Sequence, residues 1–311
     1  MKYVAAGYTM VNDIFFADGK KAEKVLGGSV FSASAMALFQ DQVGYVGTAG
    51  PDFEDLFGNY YHKNQIVCAI AKTLPHTHRY LMEYLPDGRW QERSAYGEAY
   101  EEAMREGTAV TAAHFSALCG ADTQGIYLEA ALNGKILDQL PQLRVLAPHA
   151  KIMWEMATQD ILCPESRPVL LEKLHQEDIY SLNLPESLQL FDVRGEEEAL
   201  HCIAQRGVPC FYRVGARGAW LVQEGRASFL PAVGTSESVD ATGCGNASTA
   251  AALIGFAEGA EPGRLLAMAN IAAALTARQL GPIPDVRTAR AEAMRLLQDG
   301  ALLEKMETYT L

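Results

Sequence analysis

The chain has 311 residues, 49% hydrophobic and 21% charged, which excludes disordered, collagen-like and coiled-coil classes and is ordinary for a soluble globular enzyme. Thirty-eight acidic against 26 basic residues give a formal charge of −12, so a nucleic-acid or anionic-membrane surface is not expected and any anionic ligand must be held locally. The six cysteines show no CxxC spacing and the seven histidines do not join them at zinc-site intervals; with no signal-peptide pattern and no apolar run of the ~20 residues a bilayer span needs, the sequence predicts a reduced, cytoplasmic protein.

In chain order, 3–7 reads as a short buried strand and 30–40 as a helix opened by Gly27-Gly28, with Phe31, Ala35 and Leu38 at helical spacing. Then come a strand at 44–47, a helix at 53–64, a strand at 113–119, a helix at 126–134, a strand at 151–156 and a helix at 169–175. Residues 181–182, 209–214 and 219–223 read as strands, 195–206 and the Ala-rich 247–258 as helices. Such alternation predicts a single α/β domain over 1–311, with a mainly parallel central sheet flanked by helices. Two polar, partly alternating segments, 14–26 and 72–93, break the pattern and predict a small β lid, the second with a turn at Pro86-Asp87-Gly88. There Tyr80, Met82 and Tyr84 share a face, with Trp90 and the histidines His76 and His78 nearby, an apolar surface fit to cover a substrate or to form a homodimer contact.

The densest chemical signal is Val239-Asp240-Ala241-Thr242-Gly243-Cys244-Gly245-Asn246, running directly into the helix at 247–258. Small residues let the backbone approach a ligand, and a helix N-terminus offers free N–H groups and positive dipole to an anion, so the segment reads as a phosphate cradle. It lacks the Lys-[Ser/Thr] pair of a P-loop, and no G-x-G-x-x-G follows the first strand, which argues against a dinucleotide-dependent oxidoreductase.

Around this cradle stand, in order, Gly27-Gly28 with Ala33, the stretch Val43-Gly44 through Gly47, Gly50 and Asp52, Asn183-Leu184-Pro185-Glu186, Val214-Gly215-Ala216-Arg217-Gly218-Ala219 and Asn270-Ile271-Ala272-Ala273-Ala274. On these the sequence resembles, over nearly its whole length, the ribokinase-like (pfkB) family of carbohydrate and nucleoside kinases, whose C-terminal signature reads roughly D-T-x-G-A-G-D. The resemblance implies a ribokinase-like fold and ATP-dependent phosphorylation of a hydroxyl on a small sugar or nucleoside. It implies acceptor-binding roles for Asn12, Asp13, Gly27, Gly28 and Ser32, and N–H donation to the transferring phosphate from Gly243, Cys244 and Gly245. It also implies that Asn183 and Glu186 organise Mg2+ and its waters, that Gly215, Arg217 and Gly218 lie under the nucleotide with Asn270 near its base, and that Asp240 and the loop at 280–284 hold a monovalent cation such as K+.

The signature's final Asp, which in the family takes the proton from the attacking hydroxyl, is Asn246 here, and an amide has no useful basicity. Asn246 would then orient the hydroxyl, leaving water, a phosphate oxygen or Asp13 to accept the proton. Ser32 stands where many relatives carry a longer Asn, and Lys151-Ile152-Met153-Trp154-Glu155 is similar to pfkB-like members that also end the signature in Asn. The alternative reading is a pseudokinase, a sugar- or nucleotide-binding protein with little or no turnover; Asn246 favours it and the Asn183/Glu186 pair opposes it.

Overall fold

Consecutive apolar residues in this sequence form strands buried on both faces, and a computed structural model, describing residues 1–86 and 89–311, shows how they assemble. Asp87 and Gly88 of the expected turn lie outside the described residues, as does the side chain of Trp90. The strands are β1 (Tyr3–Ala6), β2 (Thr9–Phe15), β3 (Lys21–Gly28), β4 (Val43–Thr48), β5 (Val67–Ala71), β6 (His78–Tyr84), β7 (Trp90–Ser94), β8 (Gly125–Ala130), β9 (Lys151–Met156), β10 (Ile179–Asn183), β11 (Cys210–Arg213), β12 (Gly218–Gln223), β13 (Arg226–Pro231) and β14 (Glu307–Thr310). Ten of them make one sheet in the order β14-β13-β12-β11-β10-β9-β8-β1-β4-β5. Pairing is parallel from β11 to β5 and antiparallel from β11 out to β14.

Alternation along each strand feeds two cores. Tyr3, Ala5, Tyr127, Met153 and Phe211 pack against the helices Val30–Phe39, Cys244–Ala257, Pro262–Thr276 and Val286–Gln298. Val4, Ala6, Ile126, Leu128 and Trp154 face the other side, under Leu140–Leu146, Arg167–Lys173, Leu184–Phe191 and Glu196–Gln205. The helix expected at 126–134 is therefore strand β8: Ile126 and Leu128 enter one core and Tyr127 the other, the period-two split of a strand. The strand expected at 113–119 is a short 3-10 turn, Ala112–Ala117, which buries only Phe115 and is capped reciprocally by Thr111 and His114. The helix at 53–64 begins as a π turn, Glu54–Gly58, before Asn59–Lys63.

The second sheet has four strands in the order β3-β2-β6-β7. It begins at Thr9, so Asn12 and Asp13 lie inside β2. In the Tyr80–Met82–Tyr84 stripe, Tyr80 donates to Glu101 at 3.0 Å, Met82 is buried, and Tyr84 donates to Asp240 at 3.3 Å. The last of these bonds fastens the small sheet to the loop before the Cys244–Ala257 helix.

Glu177, in the turn entering β10, has both carboxylate oxygens buried without a hydrogen-bond partner among the described residues. Burial pushes its pKa up to about 8, Asp178 adds to the rise, and Arg144 and Lys173 oppose it. Between the ordinary carboxyl pKa and about 8 the folded chain thus keeps a proton that the unfolded chain has released, so stability falls as pH rises through that window. Glu177→Gln should raise the melting temperature by several degrees near pH 9 and leave it nearly unchanged near pH 5; equal shifts at both pH values would show that Glu177 does not titrate in this way.

Candidate active site

Adjacent parallel strands end at the same edge of a sheet, and here four of them close on polar residues. Register sets Glu129 of β8 beside Glu155 of β9, and Asn183 of β10 beside Arg213 of β11. Alternation carries Glu129, Glu155 and Arg213 to the face of Tyr127, Met153 and Phe211, which the Cys244–Ala257 helix covers. Between this edge and the small sheet lies a cleft of about 1620 Å³, lined by Glu129, Glu155, Asn183, Glu186, Arg213 and Asn246 on one side and by Met10, His78, Tyr80 and Glu101 on the other. Crevices at the carboxyl ends of strands are where open α/β sheets bind ligands.

One polar network forms the floor. The Arg213 guanidinium pairs with Glu155 at 2.9 Å and stands 3.8 Å from Glu186. Tyr127 donates to Glu155 at 2.6 Å and accepts from the Asn246 amide at 3.0 Å, while the Asn246 carbonyl accepts from Ser32 at 3.4 Å. Ser29, next to the Gly27-Gly28 turn, donates to Glu129 Oε2 at 2.5 Å. Burial first, and then the charge of Glu155, push the Glu129 carboxyl up to about 7, with the Ser29 hydroxyl, the Asn246 side chain and the Tyr8 backbone opposing the rise.

The cradle predicted from sequence opens the covering helix. Gly243 takes the left-handed conformation at φ 78°, and a Cβ there would stand 2.2 Å from the Phe31 ring, so only glycine fits. No side chain caps the helix among the described residues. The space above its first turn holds the guanidinium: a Cβ on Gly245 would lie 2.2 Å from Arg213 Nη1. Arg213 Nε is buried without a hydrogen-bond partner among the described residues, and the Cys244 N–H is taken by the Ala241 carbonyl at 3.2 Å. A positive helix end beside a buried, ion-paired guanidinium with one N–H left over suits the phosphates of a nucleotide. Burial raises the Cys244 thiol to about 11, with Asp240 adding to the rise, so Cys244 contributes backbone rather than a thiolate.

Asn183 and Glu186 line the cleft and cap each other across the start of the Leu184–Phe191 helix, each bond 2.9 Å, with Thr158 donating to Glu186 at 3.0 Å. No cluster of three or more His, Cys, Asp or Glu able to hold a metal occurs among the described residues. The lone pairs left on Glu186 fit a hydrated Mg2+ contacted through water, not a multidentate cage.

Other expected residues lie around the edge of this floor or away from it. Asn12 is buried with its Oδ1 unpartnered among the described residues, and Gly28 turns at φ 74°, where a Cβ would meet the Tyr8 carbonyl at 2.1 Å. Asp13 is held by the Arg79 guanidinium, 2.8 Å from Nε, and by the Lys24 N–H, and does not line the cleft. Asp240 accepts from the Thr242 N–H and hydroxyl as well as from Tyr84, and in the loop at 280–284 the Ile283 and Pro284 carbonyls accept from Tyr60 and Lys63. Gly215 and Arg217 form the short turn before Gly218 opens β12, where Arg217 pairs with Glu196 at the surface. Asn270 is buried and donates to the Leu230 and Pro231 carbonyls at 3.0 and 2.9 Å, bracing β13. The floor residues Tyr127, Glu129, Glu155 and Arg213 had no assigned role in the sequence reading. Their signal was there: a charge closing a buried apolar strand in Gly125–Ala130, Lys151–Met156 and Cys210–Arg213.

Residues 4–289 match the model of the pfkB family carbohydrate kinases. Among solved structures, the chain is similar to a probable sugar kinase from Rhizobium etli CFN 42, with TM-score 0.75 and 20% identity over 94% of this chain and 98% of that one. It is also similar to the adenosine kinase of Sinorhizobium meliloti, with TM-score 0.75 and 19% identity over 94% and 99%. A putative ribokinase II from E. coli, solved with ATP and Mg2+, gives TM-score 0.73 and 18% identity over 94% and 99%. None of the curated proteins compared with the sequence matches it. These likenesses establish the ribokinase-like fold.

Removing one partner of a buried ion pair leaves the other charge unscreened, at a cost of about 3–5 kcal/mol. Arg213→Met should therefore destabilise the chain by that order in urea denaturation, and adding Glu155→Gln should recover a large part. A double variant no more stable than Arg213→Met would show that the pair does not hold the floor together.

Proposed function

The chain belongs to the pfkB family of carbohydrate kinases, and we propose that it transfers the terminal phosphate of ATP to a hydroxyl of a small sugar or nucleoside. The observation that carries this reading is the meeting, on one cleft floor, of the Cys244–Ala257 helix N-terminus, the buried Arg213 cation and the acidic strand ends. Phosphoryl transfer depends chiefly on positioning and charge stabilisation, and this floor offers both.

In this proposal the N–H groups of Gly243 and Gly245 and the Arg213 guanidinium hold the donor phosphates, the Cys244 N–H being taken by the Ala241 carbonyl, and the turn at Gly215, Arg217 and Gly218 underlies the nucleotide. Mg2+ bound on the Glu186 and Asn183 side would neutralise phosphate charge. Asn12, Gly27, Gly28 and Ser32 flank the acceptor, whose hydroxyl Asn246 orients. The small sheet acts as a lid: the Tyr84–Asp240 bond ties its position to the cradle loop, and a closed lid keeps water from competing for the phosphate.

ATP with Mg2+ should raise the melting temperature more than ATP alone, because the metal screens the phosphates against an acidic chain, and Glu186→Ala should weaken the magnesium-dependent part. ADP release should rise when ribose, fructose or adenosine is supplied. No shift with millimolar ATP or ADP would end the kinase reading; a shift without ADP release under any of these conditions would favour the pseudokinase.

A further inference from the structure

Among the carboxylates that line the strand-end side of the cleft, Asp160 accepts from the Leu132 N–H, and Glu129, Glu155 and Glu186 differ in what they bind. Glu155 pairs with Arg213 and accepts from Tyr127, so its charge is already compensated. Glu186 is taken up by its helix cap and by Thr158. Glu129 accepts from the Ser29 hydroxyl and, among the described residues, is in no salt bridge; the other groups that favour its charged form, the Asn246 side chain and the Tyr8 backbone, are neutral. It also stands at a junction. Ser29 follows the Gly27-Gly28 turn directly, and Asn246 is the third residue of the cradle helix, so Glu129 lies between the acceptor-side turn and the anion-side turn. A Cβ on Gly7 would come within 2.8 Å of Glu129 Oε2, so the glycine after β1 leaves room for this carboxylate.

We infer that Glu129 is the base that takes the proton of the attacking hydroxyl. The inference rests on the kinase reading above. In the step, the acceptor O–H bond breaks and its proton passes to a Glu129 carboxylate oxygen. The hydroxyl oxygen forms a bond to the terminal phosphorus, and the bond from that phosphorus to the bridging oxygen breaks with its electron pair leaving on ADP; Glu129 then returns its proton to solvent. The nearby Asn246 amide cannot accept a proton but can donate to Glu129 and hold it facing the cleft.

The surroundings tune the group. Tyr8, Tyr45, Tyr127 and Glu155 are titratable neighbours, with Arg213 and Glu186 beyond Glu155, Asp160 beside Tyr8, and His78 and Glu101 across the cleft. Burial and Glu155 bring its pKa to about 7, near the pH at which proton transfer by a positioned base is most effective.

The test measures ADP release from Mg-ATP with ribose, fructose, adenosine or water alone as acceptor, as a function of pH, alongside melting temperature with and without ATP. Wild-type turnover should rise along an acid limb centred near pH 7, as Glu129 ionises. Glu129→Gln should keep the melting temperature and the ATP-induced shift, lose about 10²–10⁴-fold in turnover and lose the acid limb. Asn246→Asp places a further carboxylate beside Glu129 and Glu155, so the limb should move to higher pH and turnover at pH 7 should fall. Undiminished turnover in Glu129→Gln, or a gain at pH 7 in Asn246→Asp, would overturn the inference while the kinase reading stands. No turnover by the wild type with any of these acceptors would remove both.

Discussion

Neighbouring parallel strands run in step, so whatever residues close them are delivered side by side at one edge of the sheet. In this chain β8 to β11 close on Glu129, Glu155, Asn183 and Arg213, and that register constrains everything built around the cleft. Two carboxylates side by side at a largely buried edge repel each other and are costly to desolvate; the Arg213 guanidinium, reaching Glu155 from the fourth strand, offsets that cost. The pair in turn fixes what the cradle helix can do, since its first turn lies against the same guanidinium.

Asn246 makes sense within this floor. An aspartate there would add a third negative charge beside Glu129 and Glu155, whereas the amide donates to Tyr127, which holds Glu155, and favours the charged form of Glu129 without repelling either carboxylate. Ser32 is short for a related reason of fit: its hydroxyl reaches the Asn246 carbonyl and ties the first helix to the cradle helix. The departures from the family signature therefore belong to one connected arrangement, with the small sheet fastened beside it at Asp240 through Tyr84.

Much of the fold was legible because the signals were local. Glycines at the two turns, the Ala-rich helix and the apolar strands each show in a few adjacent residues. What misled was equally physical. Ile126, Tyr127 and Leu128 form too short an apolar run for periodicity to separate helix from strand, and only their division between two cores decides it. The floor residues escaped because Glu129, Glu155 and Arg213 lie far apart in sequence and meet only through sheet order. Asn270 and Arg217 could be placed near the nucleotide by pattern, but whether their side chains are free was invisible: one braces the β13 backbone and the other pairs with Glu196.

The central claim is that the donor's phosphates rest on the Arg213 guanidinium and the first turn of the Cys244–Ala257 helix. A crystal structure with Mg2+ and a non-hydrolysable ATP analogue tests it most directly. The account predicts the terminal phosphate within hydrogen-bond distance of both Arg213 and the Gly245 N–H, on the Glu186 side of the cleft. A nucleotide bound elsewhere, or with its terminal phosphate touching neither group, would contradict it.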